Sequence, residues 1–288
     1  MRRQQTISVV IPAFEEEERI EATLDGIPEW VDFVVVVDDA SRDATSERVR
    51  LRGESRVTLV RHDTNRGVGA AIATGTQRAF ELGADVACVM AGDNQMDPDE
   101  LTVVVDPILV GSADYVKGNR FLHADVKKMP RLRRWGSFTL ACVTNLVADL
   151  DIQDSQCGYT ALGRRAGLAL PWDSVWPRYG YPNDLLVLLA RRGFRISEVP
   201  VRPIYAGEKS GLRFWHVLTI LGVLVRRISL ELSESALERS SGELAWCTRA
   251  ALFSKEPTHL AVTEHEQHAL PNRRVTRRRF GVEGDRAG

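Results

Sequence analysis

Residues 33–41 read FVVVVDDAS: an apolar run from Phe33 to Val37, then two adjacent aspartates and a serine. A strand that is apolar without alternation belongs in a parallel sheet covered on both faces. Working outward, similar short runs recur on either side. Ile7-Ser8-Val9-Val10-Ile11 precedes it, and Val57–Arg61 and Val86–Met90 follow. Helix-like segments lie between them. Glu15–Ile27 is acid-rich in its first turn, as the helix dipole favours. Ser41–Arg52 has Ser41 as a candidate N-cap, and Gly69–Leu82 is the third. Strands alternating with helices predict an α/β protein with a doubly wound, mostly parallel, Rossmann-like sheet.

Beyond Met90 the pattern is less regular. Tyr115–Lys117 reads as a strand leading into Gly118-Asn119-Arg120. A helix is expected from about Leu132 to Asp149 and another from Asn183 to Arg192, with an aromatic, proline-rich loop at Pro171–Pro182 and a strand around Ile196–Val201. From Ser233 the chain turns polar, and it ends RRVTRRRFGVEGDRAG. The organisation expected is a domain over 1–211, a helical, membrane-interfacial extension over 212–256, and a poorly ordered basic tail over 257–288.

Composition narrows the function classes. A chain of 288 residues with 44% hydrophobic content can bury one large core. A net charge of −1 gives no global electrostatic case for nucleic acid. The arginine clusters at 131, 133–134, 226–227 and 277–279 read as solvated helix faces. Cys88, Cys142, Cys157 and Cys247 are far apart, without zinc or redox spacing, which suits a reduced cytosolic protein. MRRQQTISVVIP lacks the apolar stretch of a signal peptide. In LRFWHVLTILGVLVRRISLEL, residues 212–232, the uncharged core Phe214–Val225 is shorter than the roughly 20 residues of a spanning helix. Trp215 at one end and Arg226-Arg227 at the other suit a membrane interface; a buried helix or an oligomer face is the alternative. The expected location is cytoplasmic, peripheral at the inner face of the membrane.

Open α/β sheets bind ligands outside the carboxyl ends of their strands, and four motifs fall there. Pro12-Ala13-Phe14-Glu15 follows the first strand, with Phe14 available to pack on a base. Asp38-Asp39 follows the second; carboxylates there are costly unless solvated or used. Either can accept the imide N–H of uracil or the hydroxyls of ribose, and the plainer alternative is that Asp39 caps the next helix. Asn65-Arg66-Gly67-Val68-Gly69 follows the third strand. It is half of a dinucleotide fingerprint, and no Gly-x-Gly-x-x-Gly follows the first strand, which disfavours a dehydrogenase. The fourth is VACVMAGDNQMDP, residues 86–98. Asp93 and Gln95 both offer oxygen, the ligand that Mg²⁺ takes beside substrate phosphates; an Asx turn is the alternative.

Together ISVVIPAFEEEERI, VVVVDDASRDAT, NRGVGAAIATG and MAGDNQMDP resemble, in order and spacing, the nucleotide-sugar-binding half of family 2 glycosyltransferases with the GT-A fold. The resemblance covers roughly Ile7–Gly211. Its nearest pattern is that of polyprenyl- or dolichyl-phosphate sugar synthases. Their Asp-Ala-Asp-x-Gln stands here as Ala91-Gly92-Asp93-Asn94-Gln95, and their Gly-Ser-Arg as Gly118-Asn119-Arg120. Asp154-Ser155-Gln156-Cys157-Gly158-Tyr159, Ser197-Glu198-Val199-Pro200-Val201 and Glu208-Lys209-Ser210-Gly211 are similar to later signatures. The resemblance implies inverting transfer of a hexose from a UDP- or GDP-sugar to a polyprenyl phosphate. It implies Mg²⁺ or Mn²⁺ on Asp93 and Gln95. Donor contacts would come from Pro12, Ala13, Phe14, Glu15, Asp38, Asp39, Arg66, Gly92 and Asp93. Arg120, Arg131 and Lys209 would take phosphate, and Asp184, Asp154 and Arg202 would be catalytic. Two departures stand out: Ala91 replaces the first metal carboxylate, and Asn183-Asp184 replaces the usual glutamate before the late helix. A hydroxyl acceptor would need Asp184 or Asp154 as base. A third possibility is a nucleotide-binding module without turnover.

Overall fold

The computed structural model describes residues 5–204 and 218–233. Among the described residues, seven strands form one sheet: β1 Ile7–Ala13, β2 Phe33–Asp38, β3 Val57–Arg61, β4 Val86–Val89, β5 Tyr115–Asn119, β6 Thr160–Gly163 and β7 Ile196–Pro200. Their order is β3-β2-β1-β4-β6-β5-β7. β1 pairs in parallel with β2 and β4, β2 with β3, and β5 with β7. Only β6 runs against its neighbours, β4 and β5. The helices are α1 Ile20–Asp25, α2 Thr45–Arg52, α3 Val68–Glu81, α4 Leu101–Leu109, α5 Arg131–Ala148, α6 Arg164–Ala169, α7 Tyr181–Arg191, and α8 over 218–233.

The unalternating run in β2 is explained by two cores. Val34 and Val36 pack on one face with Ile20, Leu24, Leu101 and Val104. Val35 and Val37 pack on the other with Ala71, Ile72, Phe80 and Leu186. The helices therefore cover both sides of the sheet, as the doubly wound reading expects. α3 lies so close to the sheet that a Cβ at Gly75 would sit 2.4 Å from Val10 Cγ1 and 3.0 Å from Val37 Cγ2. Overpacking of this kind costs about 1–3 kcal/mol, against the roughly 1 kcal/mol that alanine returns in helix propensity. Gly75→Ala is thus expected to lower the urea midpoint, and an unchanged midpoint would contradict the close approach.

Several expectations shift. The first helix begins at Ile20, not Glu15. Glu15 is left-handed at φ 57°, and the N–H groups of Glu15, Glu16 and Glu17 go to Ser41 Oγ, Thr45 Oγ1 and Asp43 Oδ2. Ser41 is therefore spent on Glu15, and the N-cap of α2 is Ala44. β6 is four residues long, and so short an apolar run has no period to read. α4 continues through Pro107, a residue that reads as a breaker.

α8 packs through Ile220 and Leu224 on Leu140 and Ala148 of α5 and Val187 of α7. Its other face leaves Leu218, Leu221, Val225 and Leu232 exposed. All described residues fall in one compact unit. The expected extension is therefore seen only as α8, with 212–217, 234–256 and the 257–288 tail outside the described residues. Among the described residues no helix is long and apolar enough to cross a membrane.

Candidate active site

All four strand-end motifs meet at one cleft of about 510 Å³ beyond the carboxyl ends of β1, β2 and β4. Pro12, Ala13, Phe14 and Glu16 line it, with Asp39, then Asn65, Gly67, Val68 and Ala71 at the start of α3, then Ala91, Gly92 and Asp93, and finally Arg178 and Tyr179. Phe14 is 42% exposed, an open ring at the rim. Glu15 is exposed and outside the lining; its neighbour Glu16 takes that place.

The two adjacent aspartates part company. Asp38 is fully buried and lies outside the cleft lining. It accepts from Arg61 Nη1 at 2.9 Å, from the Ser41 N–H at 2.8 Å and from the Ser46 hydroxyl. Those contacts bind β2 to β3 and α2, so Asp38 is engaged within the fold and stands apart from the cleft lining. Asp39 lines the cleft. It accepts the backbone N–H groups of Arg66 and Gly67 at 2.8 and 2.7 Å, and His62 Nδ1 lies 2.6 Å away. His62 Nε2 is 3.0 Å from Thr74 Oγ1. Asp39 thus fixes the glycine loop and caps no helix. Arg66 contributes its N–H to Asp39, while its side chain lines a neighbouring cleft with Thr74 and Trp176.

Asp93 forms the turn and also lines the cleft. Its Oδ1 accepts the Gln95 N–H at 3.1 Å with Asn94 left-handed at φ 57°, an Asx turn. The same residue lines the cleft and a smaller pocket of about 160 Å³ beside it. Gln95, Met96, Arg120, Arg133, Gln156 and Arg202 are among the residues lining the smaller pocket. Asp93 therefore sits at a seam. Among the described residues, the lining on one side carries Glu16, Asp39 and Asp93 with Arg178 as its one cation, and on the other it carries three arginines. Asp93 and Gln95 offer hard oxygen donors, Ala91 offers none, and no group of three His, Cys, Asp or Glu among the described residues could hold a metal. This set fits a divalent ion that completes its shell with a diphosphate and water.

The candidate bases are placed out of reach. Asp154 is fully buried, and Arg120 grips it with Nε at 2.7 Å and Nη2 at 2.9 Å. Burial alone would raise the Asp154 carboxyl, but the Arg120 guanidinium, with Lys117 nearby, outweighs it and holds it below the usual range. Glu198 in turn accepts the N–H groups of Gln153 and Asp154, both at 2.9 Å. Asp154 is the anchor of Arg120. Asp184 is also fully buried; Arg227 Nε and Nη2 reach its two oxygens at 2.7 Å each, and the Trp176 N–H donates to it at 2.7 Å. A base must reach the proton it takes, and neither carboxylate faces the cleft.

Among the basic residues, Arg202 lines the smaller pocket, with Nη1 3.0 Å from Asp97. Arg131 does not; it lines an apolar groove of about 430 Å³ with Phe121, Arg134, Trp135 and Phe138. Arg133 takes the position beside Asp93, two residues and about 200° of helix rotation away. Lys209 lies outside the described residues. Sequence reading missed Arg133, Arg178, Tyr179, His62 and Arg227. The helix period could have separated Arg133 from Arg131; nothing local could have found Arg178, which meets Asn65 across the fold. On the outer face of α5, Leu132, Trp135, Phe138 and Leu146 are 78%, 71%, 54% and 87% exposed, an apolar stripe open to its surroundings.

The profile of Glycosyl transferase family 2 matches residues 8–168. The chain is 30% identical to the UDP-N-acetylglucosamine–dolichyl-phosphate N-acetylglucosaminyltransferase of Methanococcus voltae, over 79% of this chain and 97% of that one. It is 30% identical to the undecaprenyl-phosphate mannosyltransferase of Micrococcus luteus, over 68% of this chain and 82% of that one. Glucosyl-3-phosphoglycerate synthase from Mycobacterium tuberculosis, solved with Mn²⁺, uridine diphosphate and phosphoglyceric acid, superposes with a TM-score of 0.55 at 22% identity. That likeness covers 77% of this chain and 78% of the other, and shows that the fold is the same.

Proposed function

The chain belongs to glycosyl transferase family 2, and from that premise we propose that it moves a hexose from a nucleoside-diphosphate sugar to a polyprenyl phosphate with inversion. The observation that carries this reading is the seam at Asp93 between an acid-lined, nucleotide-sized cleft and an arginine-lined pocket. The base lies by Phe14 and Asp39. A carboxylate has about four acceptor positions; the Arg66 and Gly67 N–H groups and His62 occupy three at Asp39. The one left suits an imide-type N–H, as uracil and guanine carry and cytosine lacks. Mg²⁺ or Mn²⁺ held by Asp93 and Gln95 would act as a Lewis acid on the leaving diphosphate.

The acceptor phosphate sits among Arg120, Arg133 and Arg202. Its oxygen attacks the anomeric carbon, the bond from that carbon to the donor's β-phosphate oxygen breaks, and the nucleoside diphosphate leaves with the electron pair. A phosphate is already an anion at neutral pH and needs no base, which agrees with the burial of Asp154 and Asp184 in ion pairs. A hydroxyl acceptor would need one of them free. The names of the two curated relatives support a polyprenyl-phosphate acceptor. A screen of radiolabelled nucleotide sugars against polyprenyl phosphate tests the reading. Label in the lipid phase is expected; label passing only to water or to sugar hydroxyls would overturn it.

A lipid acceptor calls for a seat at the membrane face, and the outer faces of α5 and α8 offer apolar residues beside exposed Lys127, Lys128 and Arg131. Such a surface suits an anionic bilayer. The double change Trp135→Glu with Phe138→Glu is expected to weaken flotation with phosphatidylglycerol vesicles at least about tenfold, because each ring withdrawn forfeits about 1.5–3 kcal/mol. Equal flotation would remove α5 from the seat.

A further inference from the structure

A nucleoside-diphosphate sugar brings roughly two negative charges, and the free diphosphate roughly three, into a cleft that already presents Glu16, Asp39 and Asp93. A divalent ion at Asp93 offsets part of that charge. Among the described lining residues Arg178 is the one remaining cation, and a guanidinium is the side chain whose fork matches phosphate oxygens.

Arg178 stands on residues 174–180, a segment pinned from two sides. On the cleft side it lies directly on the start of α3. The Ala70 N–H donates to Pro177 O at 3.0 Å, and Arg178 Nη2 to Asn65 O at 3.3 Å. Only glycines permit this contact: a Cβ at Gly67, where φ is +98°, would fall 2.6 Å from Pro177 O, and one at Gly69 would fall 2.4 Å from Trp176 O. On the far side the segment is held by α8. Arg227 donates to Ser174 O at 2.9 Å and to Ser174 Oγ at 3.2 Å while it grips Asp184, which accepts the Trp176 N–H. Arg226 donates to Ser174 O at 3.2 Å and lies 5.7 Å over the Trp176 ring.

A buried ion pair is weak evidence for stability, because an apolar pair of the same volume often holds two helices as well. What the Arg227–Asp184 pair adds is direction: it also bonds Ser174 and the Trp176 N–H. We propose that Arg178 is the protein's counter-ion for the donor diphosphate, and that Arg227 and Asp184 are positioning residues that hold it, which makes α8 part of the donor site. This rests on the donor reading above.

Calorimetric titration of the full chain with UDP, GDP and the matching monophosphates, in Mg²⁺, tests it. Arg178→Gln is expected to weaken the preferred diphosphate about 10- to 100-fold, the worth of a charged hydrogen bond, and the monophosphate much less. In turnover the loss appears in the donor KM. Arg226→Ala strands no buried charge and is expected to weaken the diphosphate several-fold with an unchanged thermal midpoint. The pair Arg227→Met with Asp184→Leu keeps α8 apolar against α7 and is expected to weaken the diphosphate likewise, with a thermal midpoint slightly below the wild-type value; should it fail to fold, Arg226→Ala alone decides the positioning claim. Wild-type diphosphate affinity in Arg178→Gln, or equal losses for di- and monophosphate, would overturn the counter-ion. Wild-type affinity in Arg226→Ala would overturn the role of α8. A wild-type protein that binds neither UDP nor GDP would instead sink the donor reading itself.

Discussion

Asp93→Asn is expected to lower sugar transfer by about a hundred- to ten-thousandfold, the several kcal/mol that a Lewis-acid metal supplies to a departing charged group. The substitution is chosen to spare the fold. Asparagine has the same shape, and its amide oxygen can still accept the Gln95 N–H that closes the turn at 3.1 Å. The thermal midpoint is therefore expected to stay at the wild-type value while the rate falls. Ala91 supplies no second carboxylate beside Asp93 on the cleft wall. Ala91→Asp adds a hard ligand on the cleft wall and is expected to lower the Mg²⁺ concentration that gives half the maximal rate. Full activity in Asp93→Asn would remove the metal from the mechanism.

The sheet was legible because its strands are buried on both faces, so their apolar runs needed no partner to interpret them. Phe33–Asp38 shows why: alternate valines feed two separate cores, and the sequence displays their sum. The cleft was legible too, because a parallel sheet puts its loops at one edge, and four loops read in order mark that edge. What stayed hidden depends on contacts between distant segments. Asp38 and Asp39 are adjacent in sequence and opposite in fate, since which one faces the cleft is decided by Arg61 and by the loop at Gly67. Arg131 and Arg133 differ only in helix phase, so a phase error moves an arginine from the small pocket onto an apolar groove. Arg226 and Arg227 look like a membrane-facing basic pair in sequence, yet Arg227 is 1% exposed and turned inward.

That inward turn governs the largest stability effect to be expected. Asp184→Ala leaves the Arg227 guanidinium without its carboxylate in a site where both side chains are shielded from water. Removing one partner of such a pair typically costs about 3–5 kcal/mol, a large part of the total stability of a domain. Chemical denaturation is expected to show this as a lower midpoint with little change in slope. Arg227→Met together with Asp184→Leu should recover most of it, because no charge is then stranded. The comparison also separates two readings of Asp184. A general base at this position would give a variant that folds normally, loses turnover, and loses the acidic limb of its pH–rate profile. A structural carboxylate gives a variant that unfolds early and whose surviving folded fraction loses donor affinity through the displaced segment at Ser174 and Trp176, with the pH profile unmoved. The geometry favours the second outcome, since both Asp184 oxygens are within 2.7 Å of Arg227 nitrogens, one also receives the Trp176 N–H, and the side chain is fully buried.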